Sequence, residues 1–392
     1  MVLYGLGITI GAGIYVLLGS VAGHAGLYTP ISSLLASLMA GFTAFSFAEL
    51  AGRYPRSAGE ALFAFHGFGR RWLAVTVGLL MTGAVIISGG AIVRGFTGYL
   101  QTVVTAPEWL IIIALILVLG LIAAWGIMQS VIVAALLTVI ELAGLLLVIA
   151  VGADALGDIP ARAAELLPPF EMTAWSGILS GSVLAFFAFL GFESMVNVAE
   201  EVKDVRRNLP RAIIITLGIT TALYVTLSLI AVLVVVPATL AEQKAPLAYL
   251  FETAIGREIP ALRIIGAISA LNGVFIEIIV AARILYGLSN EKWLPRHLSH
   301  VHPRTQTPLV STALVVIAML LFALFVPIAA LAEATAMITL TVFATANLAL
   351  IMIKRREAPP HGGLVVPVWV PLAGFLISAA FVVLEMINRL SG

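Results

Sequence analysis

Long apolar runs separated by short charged loops leave this chain one way to fold. Stretches near 1–24, 30–52, 72–100, 109–126, 127–151, 175–198, 211–236, 260–288, 308–327, 328–353 and 365–388 are each long enough to cross a bilayer. In lipid, no water is at hand to satisfy a backbone amide or carbonyl, so a spanning segment must pair its own polar groups as a helix. The expected fold class is therefore an all-α integral membrane protein of about 11 transmembrane helices, with 1–392 forming a single transmembrane domain. Only 10% of the residues are charged against 61% hydrophobic, and the mean hydropathy is +1.12, which leaves little room for a soluble catalytic domain. The lipid bilayer is the expected partner, and no nucleic acid partner is expected. With Gly5 already inside the first stretch, the start does not resemble a cleaved secretory signal and is expected to be a shortened natural or cloned N-terminus.

The small net charge of +1 hides an asymmetry between the two sets of loops. Fourteen basic residues, from Arg53, Arg56, Arg70 and Arg71 through Lys203, Arg206, Arg207 and Arg211 to Lys354, Arg355 and Arg356, fall on one side. The opposite loops hold Arg162, Lys244, Arg257 and Arg263 beside a larger number of acids. Basic loops stay in the cytoplasm, which predicts a cytoplasmic N-terminus and, for eleven spans, an external C-terminus, most simply in the plasma membrane. With no cysteine in the chain, disulfides, thiolate metal sites and a cysteine nucleophile are excluded.

Five crossings in 1–151 and five in 172–353 put the second block into the membrane from the opposite side, as an inverted repeat, with 365–388 as an additional helix 11. Proline marks the boundaries: Pro30 opens the second stretch, Pro107 precedes the fourth, Pro237 closes the seventh and Pro327 divides the ninth from the tenth. The residues at 152–174 are expected to be a loop joining the halves. The first span of each block is interrupted by glycine, at Gly7, Gly11 and Gly13 and again at Gly191 within Phe186-Phe187-Ala188-Phe189-Leu190-Gly191-Phe192-Glu193. Matched interruptions of this kind predict discontinuous helices 1 and 6 around a binding site at mid-membrane. A glycine face that only packs against a neighbouring helix is the competing reading of Gly7-x-x-x-Gly11.

Those same residues resemble a known family. Gly7-Ile8-Thr9-Ile10-Gly11-Ala12-Gly13-Ile14-Tyr15 is similar to the first-helix signature of the amino acid, polyamine and organocation permeases, with Tyr15 at the usual phenylalanine. Phe186 to Pro210, ending in Glu200-Glu201-Val202-Lys203-Asp204-Val205-Arg206-Arg207-Asn208-Leu209-Pro210, resembles the sixth helix and its following loop. Further likeness runs from Glu49-Leu50 through Pro55 to Gly59, and from Ala282-Arg283-Ile284-Leu285-Tyr286-Gly287 through Leu294-Pro295 to Thr307-Pro308, so the resemblance covers nearly the whole chain. The departures are Ala58-Gly59-Glu60, where paired glycines are usual, and eleven apparent spans where many members have twelve.

The resemblance implies a secondary active amino acid transporter with a five-plus-five fold of the leucine-transporter type, working by alternating access as a monomer or homodimer. It implies that the amides of Gly11, Ala12 and Gly13 hold the substrate carboxylate, since freed N–H groups at a half-helix start form an anion nest. The carbonyls of Thr9 and Ile10 would lie near the amine. Phe186, Phe187 and Leu190 would form the opposite wall, with Phe187 as the gate; packing or lipid contact is the bland role for those rings.

Ionisable side chains at membrane depth are costly and therefore usually functional. Glu141, in Leu136-Leu137-Thr138-Val139-Ile140-Glu141, and Glu277 are the candidate coupling residues, with a proton as the expected ion and structural pairing as the alternative; Arg94 is a conceivable partner. Some proton-coupled members of the family carry a lysine at the position of Glu141. Sodium symport is the rival, with Ser269 as its one evident mid-helix hydroxyl, and substrate exchange is a third mode. Glu193, Glu200 and Glu201 with Arg206, Arg207 and Arg211 form either a solvated loop or a gate network. His297, His300 and His302 lie in a basic loop without acidic companions, so no metal site and no cofactor are expected. An enzyme would need a nucleophile, base or metal set within the bilayer, and the six histidines all fall in or beside loops. A channel suits two opposed broken helices less well than an occluded site does.

Overall fold

A computed structural model describes the backbone of residues 1–101, 106–243, 245–257, 261–358 and 363–391. Lys244, named above among the loop charges, and the side chain of Arg263 lie outside the described residues. The long helices are α1 (Val2–Ala25), α2 (Thr29–Arg53), α4 (Arg71–Leu100), α5 (Glu108–Trp125), α6 (Ile127–Gly152) and α8 (Met172–Ala188) in the first part of the chain. Then come α9 (Val205–Val234), α12 (Ala261–Asn290), α13 (Leu309–Phe325), α14 (Ile328–Arg356) and α15 (Trp369–Ser391). Among the described residues, eight helical stretches have the length and apolarity to cross a membrane, and Leu309–Phe325 and Trp369–Val383 are shorter apolar helices. Their boundaries follow the expected punctuation. Pro30 lies in the first turn of α2, Pro107 and Pro327 cap the starts of α5 and α14, and Pro237 opens a new short helix after α9 has ended at Val234.

Among the described residues, three of the connections contain short α-helices: α3 (Gly59–Phe68), α7 (Ile159–Leu166), and α10 (Pro237–Ala241) with α11 (Pro246–Ile255) between α9 and α12. The linker at 152–174 is thus more ordered than a loop. Pro160 supplies a pre-set first turn, and Ala161, Arg162, Ala163, Ala164 and Glu165 are strong helix formers. The most extensive helix contacts join α2 to α9, α4 to α12 and α1 to α8. Two buried apolar clusters result: one gathers α1, α2, α8 and α9 around Phe47, Phe189 and Tyr224, the other gathers α4, α5, α12 and α13 around Phe275 and Met319.

The two expected helix breaks fare differently. Helix 6 is interrupted as expected: α8 stops at Ala188, and the chain resumes as a tight 3-10 helix from Phe192 to Glu201 after Gly191 at φ 130°. Helix 1 is not discontinuous. α1 runs as α-helix from Val2 to Ala25, straight through Gly7 to Gly13. Gly7 and Gly13 serve close packing instead. A Cβ on Gly13 would stand 2.8 Å from the Cα of Ala188, so only a bare backbone lets α1 lie this close to the end of α8.

Candidate functional site

A cavity of about 620 Å³ opens between α1, α4, α8, α12 and the start of α14. Its inner wall includes Ile8, Thr9 and Gly13 from α1 and Phe187, Leu190, Gly191 and Glu193 from the break after α8. Met81, Val85 and Ser88 of α4 face Ala270, Gly273 and Glu277 of α12 across it, and exposed Glu333 marks the mouth at α14. At the other end of the same helices a second cavity, of about 660 Å³, is lined by Tyr4, Glu201, Arg211, Arg283 and the start of α13. The floor between them is the break itself. A Cβ at Gly191 would stand 2.7 Å from the carbonyl oxygen of Ile8, so the turn after α8 is pressed directly onto the backbone of α1.

The end of α8 leaves carbonyls without a helical partner, and one side chain gathers them. The hydroxyl of Tyr224, fully buried on α9, lies 3.0 Å from the carbonyl of Ala188 and 3.1 and 3.2 Å from those of Thr9 and Ile10. One hydroxyl hydrogen from α9 is shared among three acceptors on α1 and α8. Glu193 folds back on its own turn, its Oε2 accepting from the amide of Gly191 at 2.8 Å.

The expected substrate-binding residues therefore occupy different positions. Thr9, Gly13, Phe187 and Leu190 line the cavity. Phe186 is buried away from it, edge-on to Phe187 and Phe343 and beside Phe381. Ile10 has its side chain in the core and only its carbonyl near the site. The backbone of Gly11 and Ala12 continues α1, while their surroundings lie outside the described residues. An unbroken α1 keeps those amides within a helix rather than in an open nest.

The two mid-membrane acids are separated as well. Glu141 on α6 is fully buried and outside the cavity lining; Ser269 and Asn272 of α12 donate to its two carboxylate oxygens, the second at 3.2 Å. Asn272 also donates to Thr138 at 3.0 Å, and Tyr15 of α1 donates to the backbone carbonyl of Glu141 at 3.1 Å. The carboxylate is thus the centre of a polar knot joining α1, α6 and α12. Glu277 instead faces the cavity, accepting from Ser88 at 2.6 Å. Arg94 partners neither acid: it donates to the carbonyl of Val326 and to Glu108, near the start of α5. Ser269, the rival sodium ligand, is engaged with Glu141. Nothing in the sequence marked Tyr224, Asn272 or Ser88, since a single polar residue in an apolar helix carries no periodic signal.

Beyond the floor, Glu201 forms an ion pair with Arg283 of α12 at 2.5 Å rather than with the nearby basic loop, and Glu200 accepts from the amide of Ser57. Behind it, Asn197 donates to buried Glu60 on α3 at 3.0 Å and accepts from the amide of Gly59. Burial pushes the Glu60 carboxyl up from 4.5 to about 8.

Sequence comparison places the chain among transporters. The family described as "Amino acid permease" matches residues 2–390. The chain is 30% identical over 92% of its length to "Cationic amino acid transporter 4, vacuolar" of Arabidopsis thaliana, and spans 63% of that protein. It is 28% identical to "Branched-chain amino acid permease BcaP" of Bacillus subtilis, covering 91% of this chain and 80% of the relative. It is also 27% identical, with the same two coverages, to the "Methylthioribose transporter" of Bacillus subtilis. These relatives are permeases rather than enzymes, and with a family match that spans nearly every residue from a glycine-rich first helix to the last apolar one, the chain belongs to the amino acid permease family.

Proposed function

We propose that this protein is a secondary active transporter that carries an amino acid or a related amine by alternating access. The observation that carries this reading is the broken helix after α8, which floors one cavity and roofs another. A solute held above Gly191 needs only a shift of that thin contact against α1 to be exposed below. Contacts between α1 and α8, α2 and α9, and α4 and α12 pair the first, second and third helices of each five-helix block, which supports an inverted repeat about an axis between them. The substrate lies against Thr9, Gly13 and Leu190 with Phe187 closing over it, and the carboxylate meets Gly11 to Gly13 if α1 opens there in the loaded state.

Coupling is assigned to protons, with Glu141 as the exchanging group. Its knot joins α1 to α6 and α12, so a change of charge there bears directly on the helix that moves. The engagement of Ser269 with Glu141 favours this over sodium symport. The basic loops favour a cytoplasmic N-terminus and the plasma membrane. Purified protein in proteoliposomes tests the reading: saturable amino acid uptake that rises when the lumen is made alkaline supports it. Unsaturable flux, or uptake driven by sodium alone, would overturn it.

A further inference from the structure

The central cavity is acidic. Glu193, Glu277 and Glu333 line it, and among its described lining residues there is no Lys, Arg or His. Glu193 is turned back onto the amide of Gly191, and Glu333 stands at the exposed mouth. Glu277 is different. Its Oε1 accepts from Ser88, while its Oε2 is buried without a hydrogen-bond partner. That oxygen is tucked against Gly89 of α4, where a Cβ would come within 2.9 Å of it, and a turn of the carboxyl about its terminal bond brings it toward the cavity. At the wall of the same cavity Thr9, only 2% exposed, has a buried hydroxyl that also has no partner. The intervening walls, including Met81, Val85, Ile92 and Ala270, are apolar.

A buried carboxylate oxygen without a donor is costly, and a cationic ligand head removes that cost with a charge-assisted bond. Apolar walls leading to it suit a methylene stem. Ser88 already engages Oε1, so a guanidinium would have to share that oxygen with Ser88 to make its preferred two-pronged contact, whereas the point charge of an ammonium needs only the free Oε2. From this we infer that Glu277 receives the side-chain ammonium of a cationic α-amino acid, with Ser88 as its positioning residue. The inference rests on the transport reading above and adds the substrate class to it. Glu277 is then a specificity residue, and coupling belongs to Glu141 alone.

L-lysine and L-norleucine, which share a stem and differ in the ammonium, separate the possibilities when their binding to the full chain in detergent is measured by calorimetric titration. L-lysine is expected to bind at least about tenfold more tightly than L-norleucine, the weight of one charged hydrogen bond. L-arginine is expected to bind more weakly than L-lysine. Glu277→Gln should remove the preference for L-lysine, and Ser88→Ala should reduce that preference to a smaller degree. Equal or tighter binding of L-norleucine by the wild type overturns the inference but leaves amino acid transport standing, and this arm needs no variant to fold. Equal losses for both ligands in Glu277→Gln would return Glu277 to a structural or proton-carrying role. If the folded wild type binds none of a full amino acid panel, both the inference and the transport reading fail.

Discussion

Glu141 and Glu277 are two carboxylates within long apolar helices, and their neighbours differ. Glu141 has donors on both oxygens and no place in the cavity wall. Glu141→Gln keeps the shape and removes the exchangeable proton, so binding in detergent is expected within about twofold of wild type, well under the tenfold that 1.4 kcal/mol represents. Accumulation driven by a pH gradient should vanish. Loss of binding in step with uptake would instead make the residue a structural anchor. Glu60 offers a test outside the spans. Its folded carboxyl is raised to about 8, so the folded state holds a proton that the unfolded chain has released above the ordinary 4.5. Stability from this group is therefore full at acid pH and lost as pH climbs through about 8. The wild type's melting temperature should fall between about pH 5 and pH 8, and Glu60→Gln should fall less over the same window. Parallel curves would show that the burial of this acid has no energetic consequence.

Among elements, the contact of α8 with α1 decides most. Gly191 lies at φ 130°, where a side chain is strained, and a Cβ there would meet the Ile8 carbonyl at 2.7 Å. Gly191→Ala is expected to cost about 1–3 kcal/mol. Gly218→Ala, in a helix with open space around the new methyl, should be neutral or slightly stabilising. Matching melting temperatures for the two variants would refute a strained floor. The same contact shows what the sequence could and could not disclose. Apolar runs announce helices because lipid allows the backbone little else, and the proline boundaries held to within a few residues. The break at Gly191 was legible because a helix ending among large aromatic residues at a glycine leaves few other conformations. The glycines of α1 were ambiguous: a glycine that opens a helix and one that lets two helices touch both lack a Cβ, and Ala188, which distinguishes them, lies 175 residues beyond Gly13. The partners of Glu141 were hidden for the same reason, being single polar residues 128 and 131 positions further along the chain.

At the scale of the whole molecule, the end of the chain is fastened to its beginning through one buried acid. Glu49 of α2 has no exposed side-chain surface; it accepts from Arg53 at 2.7 Å, from Lys354 of α14 at 2.6 Å and from the amide of Val366 at 2.8 Å. Lys354 also donates to the carbonyl of Val366, which draws the segment before α15 against α2. Removing one partner of a buried pair costs about 3–5 kcal/mol, and because Arg53 remains, Lys354→Met should fall near the lower end. The check is chemical denaturation in detergent, with Lys354→Arg expected to recover most of the loss. An unchanged midpoint would mean that α15 is held by apolar contact alone. The arrangement of the two cavities has an electrical consequence. Where solvent reaches in from both ends, membrane voltage drops mainly across what separates them, here the packed turn from Gly191 to Asn197 against α1 between Tyr4 and Ile8. A charge that crosses this barrier travels only a few ångströms yet traverses most of the field, worth about 2.3 kcal/mol per charge at about 100 mV. Small rocking of α1 against the break would thus convert nearly the full resting potential into work, and the transport current should depend steeply on voltage.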